Sequence, residues 1–231
     1  MMTGEDMTDK KRKIAIVSIV VLSCVLLAFI DGIIQPRYLL KSGVKLILFL
    51  VIPFIYSLFD KKLNLRELFK INKRGMKTAF MLCIPVYIVI LAAYLLLKDI
   101  FDFSGVTKAL TGNIGVNSDN FLAVSIYISF VNSFVEEFFF RGFAFLSLKR
   151  ITKGRSASIF SSAMFAVYHI AIMTGWFSVG VFGITLSGLF LGGLIFNYLN
   201  SRSDNIYTSW FVHMFANFAI NTVGFMLFGI I

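Results

Sequence analysis

A carboxylate beside an imidazole is enough to activate water. The carboxylate takes a proton, and the imidazole orients the water or shuttles the proton. Residues Phe130 to Gly142 read Phe-Val-Asn-Ser-Phe-Val-Glu-Glu-Phe-Phe-Phe-Arg-Gly, inside an apolar run from Phe121 to Leu148. A charge at bilayer depth costs roughly 3 kcal/mol or more, so such groups are functional candidates by default. Glu137 and Arg141 stand at i,i+4, share a helix face and can pair. Glu136 is rotated by about 100° from Glu137. The spacing therefore predicts one neutralised carboxylate and one without a local partner. A purely structural ion pair that pins helix packing is the other reading of Glu137 and Arg141.

The chain has two histidines, and both lie in apolar runs. His169 follows Met164-Phe165-Ala166-Val167-Tyr168, while His213 and Asn217 are spaced i,i+4 in the last run. Counting residues from the basic turns puts Glu136 about 18 Å in, His169 about 18 Å in, His213 about 10 Å and Asn217 about 16 Å. Groups from three helices can thus meet at one level, in the cytoplasmic half or near the midplane. A histidine with a side-chain amide can also donate to a developing oxyanion. The alternative assembly is a metal site, with Glu136, His169 and His213 as ligands of a zinc ion and water as the fourth. The His-Glu-x-x-His pattern of conventional zinc proteases is missing.

These side chains need helices that cross a bilayer to carry them. The chain is 58% hydrophobic and 15% charged, with mean hydropathy +0.85. That composition predicts an all-α, polytopic transmembrane bundle in one integral domain. The runs are Ile14–Ile30, Val44–Phe59 with a kink at Pro53, Thr78–Leu97, Phe121–Leu148, Ala157–Met173, Ser178–Leu199 and Ile206–Ile231. The last is about 39 Å if continuous, against a core of about 30 Å, and Asn221 and Gly224 could break it. Seven helices are expected, or eight. The first run follows Lys10-Lys11-Arg12-Lys13 and lacks a cleavage site of the Ala-x-Ala kind, so it reads as an uncleaved helix rather than a signal peptide. The stretch 98–120 reads as a loop, Gly- and Asn-containing and only weakly basic.

Net charge is +10, but the basic residues cluster between apolar runs rather than forming a nucleic-acid surface. With the amino terminus in the cytoplasm, 16 basic residues fall inside and 5 outside, the outer set being Arg37, Lys41, Lys45, Lys98 and Lys108. The inner segment Asp60–Lys77 includes Lys61, Lys62, Arg66 and Lys70. Within it, Asn64-Leu65-Arg66-Glu67 resembles a helix cap, with Leu65, Leu68 and Phe69 on one face. A short amphipathic helix on the membrane surface, or a plain basic loop, fits. Gly188-x-x-x-Gly192 and Gly183-x-x-x-Ser187 would allow close helix packing. Cys24 and Cys83 read as buried thiols, with no disulfide framework.

Together, Glu136-Glu137-x-x-x-Arg141, Phe165-x-x-x-His169 and His213-x-x-x-Asn217 on successive apolar helices resemble the CPBP family. These are the CAAX-protease and bacteriocin-processing intramembrane endopeptidases, also called abortive-infection-like. The resemblance covers residues 121–231; helices in 1–120 carry no motif, only the basic loop 60–77. It implies that Glu136 and His169 activate water, that His213 and Asn217 stabilise the oxyanion, and that Glu137, Arg141 and Phe165 support them. It also implies hydrolysis of a peptide or membrane-protein substrate near the cytoplasmic face of a cell membrane, of the bacterial kind. No cofactor follows with certainty, zinc being the alternative. In eukaryotic relatives the substrate is a prenylated CAAX peptide. Bacteriocin or pheromone maturation and immunity are the bacterial roles. A non-catalytic immunity or regulatory partner of the same fold is the rival reading, and a proton relay a third. Oligomeric state is not legible.

Overall fold

The computed structural model describes residues 7–60 and 62–231. Within them the chain is mostly helical, with no strand. Seven described helices are long and apolar enough to cross a membrane. These are α1 (Asp9–Ile34), α2 (Tyr38–Phe59), α3 (Lys73–Leu97), α5 (Phe121–Lys149), α6 (Gly154–Met173), α7 (Val179–Ser203) and α8 (Tyr207–Leu227). A short helix, α4 (Ser104–Ala109), continues into a π turn, Leu110–Ile114. It lies within the stretch read as a loop. The last run is a single helix of 21 residues, about 31 Å, matched to a bilayer core. Asn221 does not break it, because its Nδ2 donates to the Ser125 carbonyl at 3.1 Å and the Ser129 hydroxyl at 2.9 Å. Gly224 does not break it either; it lies directly against the Phe121 ring and is a packing residue.

Side-chain oxygens start two of the helices. Thr8 Oγ1 accepts from the Lys11 amide at 3.3 Å at the head of α1, and Asn72 Oδ1 from the Gly75 amide at 3.1 Å at the head of α3. Where a kink is expected at Pro53, the helix has a π turn, Ile47–Val51, just ahead of it. Proline lacks an N–H and crowds the preceding turn, and a wider turn accommodates both.

The aromatic-rich core joins α1, α2, α5 and α6. Phe49 of α2 stacks on Phe139 of α5 with ring centroids 4.0 Å apart, and meets Phe140 edge-on at 5.2 Å. A smaller cluster joins α3, α7 and α8 through Ala79, Phe196, Leu199 and Val212. At the base of α3, Gly75 permits a close approach. A Cβ there would stand 2.6 Å from Thr208 Oγ1 and 2.8 Å from Ser203 Cβ. Gly75→Ala is expected to destabilise the fold by about 1–3 kcal/mol through overpacking, measured by thermal unfolding in detergent.

Three other expectations are corrected. Leu65–Phe69 is one 3-10 turn, capped by Asn64 Oδ1 at 3.2 Å from the Arg66 amide. Its Leu65 and Leu68 are buried in the protein core rather than in lipid, and Phe69 stacks near Phe134 and Phe138. Glu67 does not close a capping box; it pairs with Arg150 at 2.7 Å. Lys61 lies outside the described residues. Finally, Gly183, Gly188 and Gly192 face open space, so the close-packing motif has no partner within the described chain; Gly193 instead abuts Ser162. Both cysteines are buried and free, as expected.

Below the bundle, Arg12 of α1 holds Asp60 at the end of α2. The guanidinium donates from Nε at 2.5 Å and from Nη2 at 2.9 Å, and Nη1 reaches Asp9 at 2.6 Å. Burial pushes the Asp60 carboxyl up, but the Arg12 hydrogen bonds and charge outweigh it, and the net shift is downward. A folded-state value below the unfolded one means the pair contributes stability above about pH 4, lost as pH falls through the folded value. Asp60→Asn is expected to flatten the acid limb of thermal stability, read by melting in detergent from roughly pH 3 to pH 7.

Candidate active site

Helix α5 carries the central charges, and its backbone is not regular α-helix. It contains two π segments, Ile128–Asn132 and Glu137–Leu146. All ten residues of the second are buried. π turns are concentrated at functional sites because they displace side chains and loosen backbone bonding. Here neighbouring helices supply donors to this backbone. Asn217 Nδ2 donates to the Ile128 carbonyl at 3.2 Å, Trp210 Nε1 to Phe130 at 3.3 Å, and Ser161 Oγ to Phe140 at 2.7 Å. In lipid such bonds are required, since no water competes for the carbonyls.

Glu137 pairs with Arg141 at 3.4 Å, as the spacing predicts, and both are fully buried. The guanidinium lies 4.0 Å from the Phe165 ring centre and 5.0 Å from that of Phe196. Glu137 does more than neutralise Arg141. Its Oε1 is 2.8 Å from His213 Nδ1, and its Oε2 accepts from the Ser209 hydroxyl. Asn200 Nδ2 in turn donates to Ser209 Oγ at 2.7 Å. A carboxylate can only accept, so His213 presents Nδ1–H to Glu137 and turns Nε2 toward Glu136, 3.7 Å from Oε2.

Glu136 does have a partner, contrary to the sequence expectation. Lys45 Nζ lies 2.5 Å from its Oε1. Lys45, placed outside with the loop lysines by its sequence position, sits within α2 and is only 6% exposed. Asn132 Nδ2 donates to the same oxygen at 3.0 Å and the Tyr168 hydroxyl at 3.3 Å. Oε1 is thus saturated, whereas no hydrogen bond from the described residues reaches Oε2.

His169 is half-buried on α6, against the rings of Phe165 at 4.8 Å and Tyr168 at 4.6 Å. Its Nδ1 is 2.6 Å from the Phe165 carbonyl. A carbonyl cannot donate, so Nδ1 carries the proton and Nε2 is left with its lone pair. Asn217 uses one amide hydrogen on Ile128 and keeps a second.

The structure therefore brings Glu136, Glu137, Arg141 and His213 into one buried cluster. Asn217 lies one turn along α8 from His213, and His169 adjoins Tyr168, which contacts Glu136. Sequence reasoning missed Lys45, Asn132, Tyr168, Ser209 and Asn200. A lysine one residue into an apolar run, and an asparagine at i−4 from Glu136, were the available signals. As for zinc, no group of three His, Cys, Asp or Glu side chains among the described residues is disposed to hold a metal ion. The residues present do not fit a zinc site in this arrangement.

A cavity of about 300 Å³ lies at the ends of α1, α2 and α6, lined among others by Asp31, Lys41, Ile170 and Trp176, and none of the site residues lines it. The groove along Gly180, Gly183 and Gly188 on α7 contains none of the site residues.

Residues 118–219 match the family model described as Rce1-like, type II CAAX prenyl endopeptidase. Neither curated proteins nor solved structures gave a significant match to the chain. The family match supports a CAAX-type intramembrane protease kind of function, and with seven membrane-length helices it supports a multi-pass integral membrane protein. Glu136, Glu137, Arg141, Phe165, His169, His213 and Asn217 all fall inside the matched segment, and over residues 118–219 this chain is similar to the Rce1-like, type II CAAX prenyl endopeptidase family.

Proposed function

We propose that this protein is an intramembrane endopeptidase whose water is activated by Glu136 and His169. The observation that carries the reading is the asymmetry of Glu136: among the described residues Oε1 accepts the hydrogen bonds and Oε2, beside His213, accepts none. A water at Oε2 gives one proton to the carboxylate, while His169 Nε2 accepts its other hydrogen and sets its orientation. The water oxygen then attacks the scissile carbonyl carbon, and the carbonyl π electrons move onto oxygen. The second amide hydrogen of Asn217 donates to that oxyanion, and so does His213 Nε2 when both ring nitrogens are protonated. Glu137 is the counter-charge for that form of His213. On collapse the C–N bond breaks, and protonated Glu136 returns its proton to the leaving amine.

The substrate is a peptide or membrane-protein segment. The excess of basic residues on the loops joining α2 to α3 and α5 to α6 favours a cytoplasmic amino terminus. Purified protein in detergent, assayed on a quenched-fluorescence peptide library, tests the mechanism. Cleavage is expected to survive a strong chelator and to fall by about 10²–10⁴-fold in His169→Ala. Cleavage lost to chelator and restored by zinc would replace the glutamate mechanism with a metal one.

A further inference from the structure

We infer that Lys45 is a positioning residue for Glu136, so that α2, outside the matched segment 118–219, completes the site; this rests on the glutamate–water reading above. The argument is geometric. Lys45 Nζ donates to Glu136 Oε1 and to Asn132 Oδ1, each at 2.5 Å. Asn132 closes a triangle by donating back to the same Glu136 oxygen at 3.0 Å, and Tyr168 adds a fourth contact at 3.3 Å.

A carboxylate gripped by several donors at one oxygen cannot rotate freely, so the other oxygen has a defined direction. That oxygen is Oε2, beside His213. A lysine near the end of a membrane helix ordinarily extends to the interface and stays hydrated. Lys45 does not. Its ammonium is held 4.9 Å from the Tyr168 ring centre and 5.6 Å from that of Phe49. Lys41, one turn earlier on α2, is engaged by Asp31 at 2.8 Å, which leaves Lys45 as the cation for Glu136. An ionised carboxylate at this depth needs such a partner. Lys45 thus keeps the base charged and fixes which oxygen meets water, without touching the peptide.

Two readouts test this on full-length protein in detergent. The first is a thermal cycle on wild type, Lys45→Met, Glu136→Gln and the double variant. Each single change strands a buried charge, whereas the double change removes both, so the double variant should lose clearly less than the sum of the singles. Additive losses would overturn the inference. The second readout is kcat and KM on a peptide that wild type cleaves. Folded Lys45→Met should lose about 10²-fold in kcat with KM nearly unchanged, and Lys45→Arg should recover to within about tenfold. A structural anchor alone would leave kcat near wild type in folded Lys45→Met, and that result would also overturn it. Failure of wild type to cleave any peptide removes the protease reading and the positioning role with it, while the thermal cycle still decides whether Lys45 is the counter-charge.

Discussion

Glu136→Gln is expected to lower kcat by about 10³-fold or more, because it removes the only proton acceptor proposed for the attacking water. Glutamine keeps the shape and can still accept from Lys45, Asn132 and Tyr168 at its carbonyl oxygen. It cannot take a proton from water at the position of Oε2. The variant should therefore bind peptide with KM close to wild type and fail in the chemical step. Stability will also fall, since the Lys45 ammonium loses its counter-charge, and breaking a buried pair costs about 3–5 kcal/mol. The kinetic comparison must be made below the lowered melting temperature. A Glu136→Gln variant that is folded and retains more than about a tenth of wild-type kcat would show that another group is the base.

Arg141→Met is expected to be among the most destabilising single changes in the chain, by about 3–5 kcal/mol. Arg141 is fully buried, and its guanidinium packs between Phe165 and Phe196. Methionine fills part of that space but leaves Glu137 anionic with only Ser209 and His213 as donors. The damage should reach the chemistry as well, because Glu137 orients His213. Adding Glu137→Gln to Arg141→Met should restore part of the stability, since no unpaired charge remains, but not the activity. Chemical or thermal unfolding in detergent measures the first effect, and kcat the second. If Arg141→Met melts within about 1 kcal/mol of wild type, the pair is not the lock described here.

How much of this was legible in the sequence depends on what each residue leaves as a trace. Glu137, Arg141, His213 and Asn217 announce themselves by i,i+4 spacing inside apolar runs, and the pairing of Glu137 with Arg141 follows from helix geometry, whereas His213 and Asn217 take partners on α5 instead of each other. The seven spans follow from length and composition, with ends shifted by several residues: α2 begins at Tyr38 rather than Val44, and α7 extends to Ser203. That shift hid Lys45. A lysine at the margin of an apolar run reads as interfacial, and only the tertiary placement of α2 against α5 turns it inward. The π segments of α5 leave no pattern, since an apolar run looks the same whether wound as α or π. Tyr168 was invisible for a related reason, because its role depends on which face of α6 meets α5, whereas Asn132 left a trace in its i−4 spacing from Glu136. The glycines of α7 misled in the opposite direction: their spacing permits close packing, but no helix within the described chain uses it.

The central claim is that the open oxygen of Glu136 activates water for peptide hydrolysis within the membrane. The most direct test is product analysis by mass spectrometry after wild type and Glu136→Gln are incubated with a diverse peptide library in water enriched in oxygen-18. The account predicts new carboxyl termini carrying the heavy oxygen with wild type and none above background with folded Glu136→Gln. The same products at comparable yield from folded Glu136→Gln would contradict it.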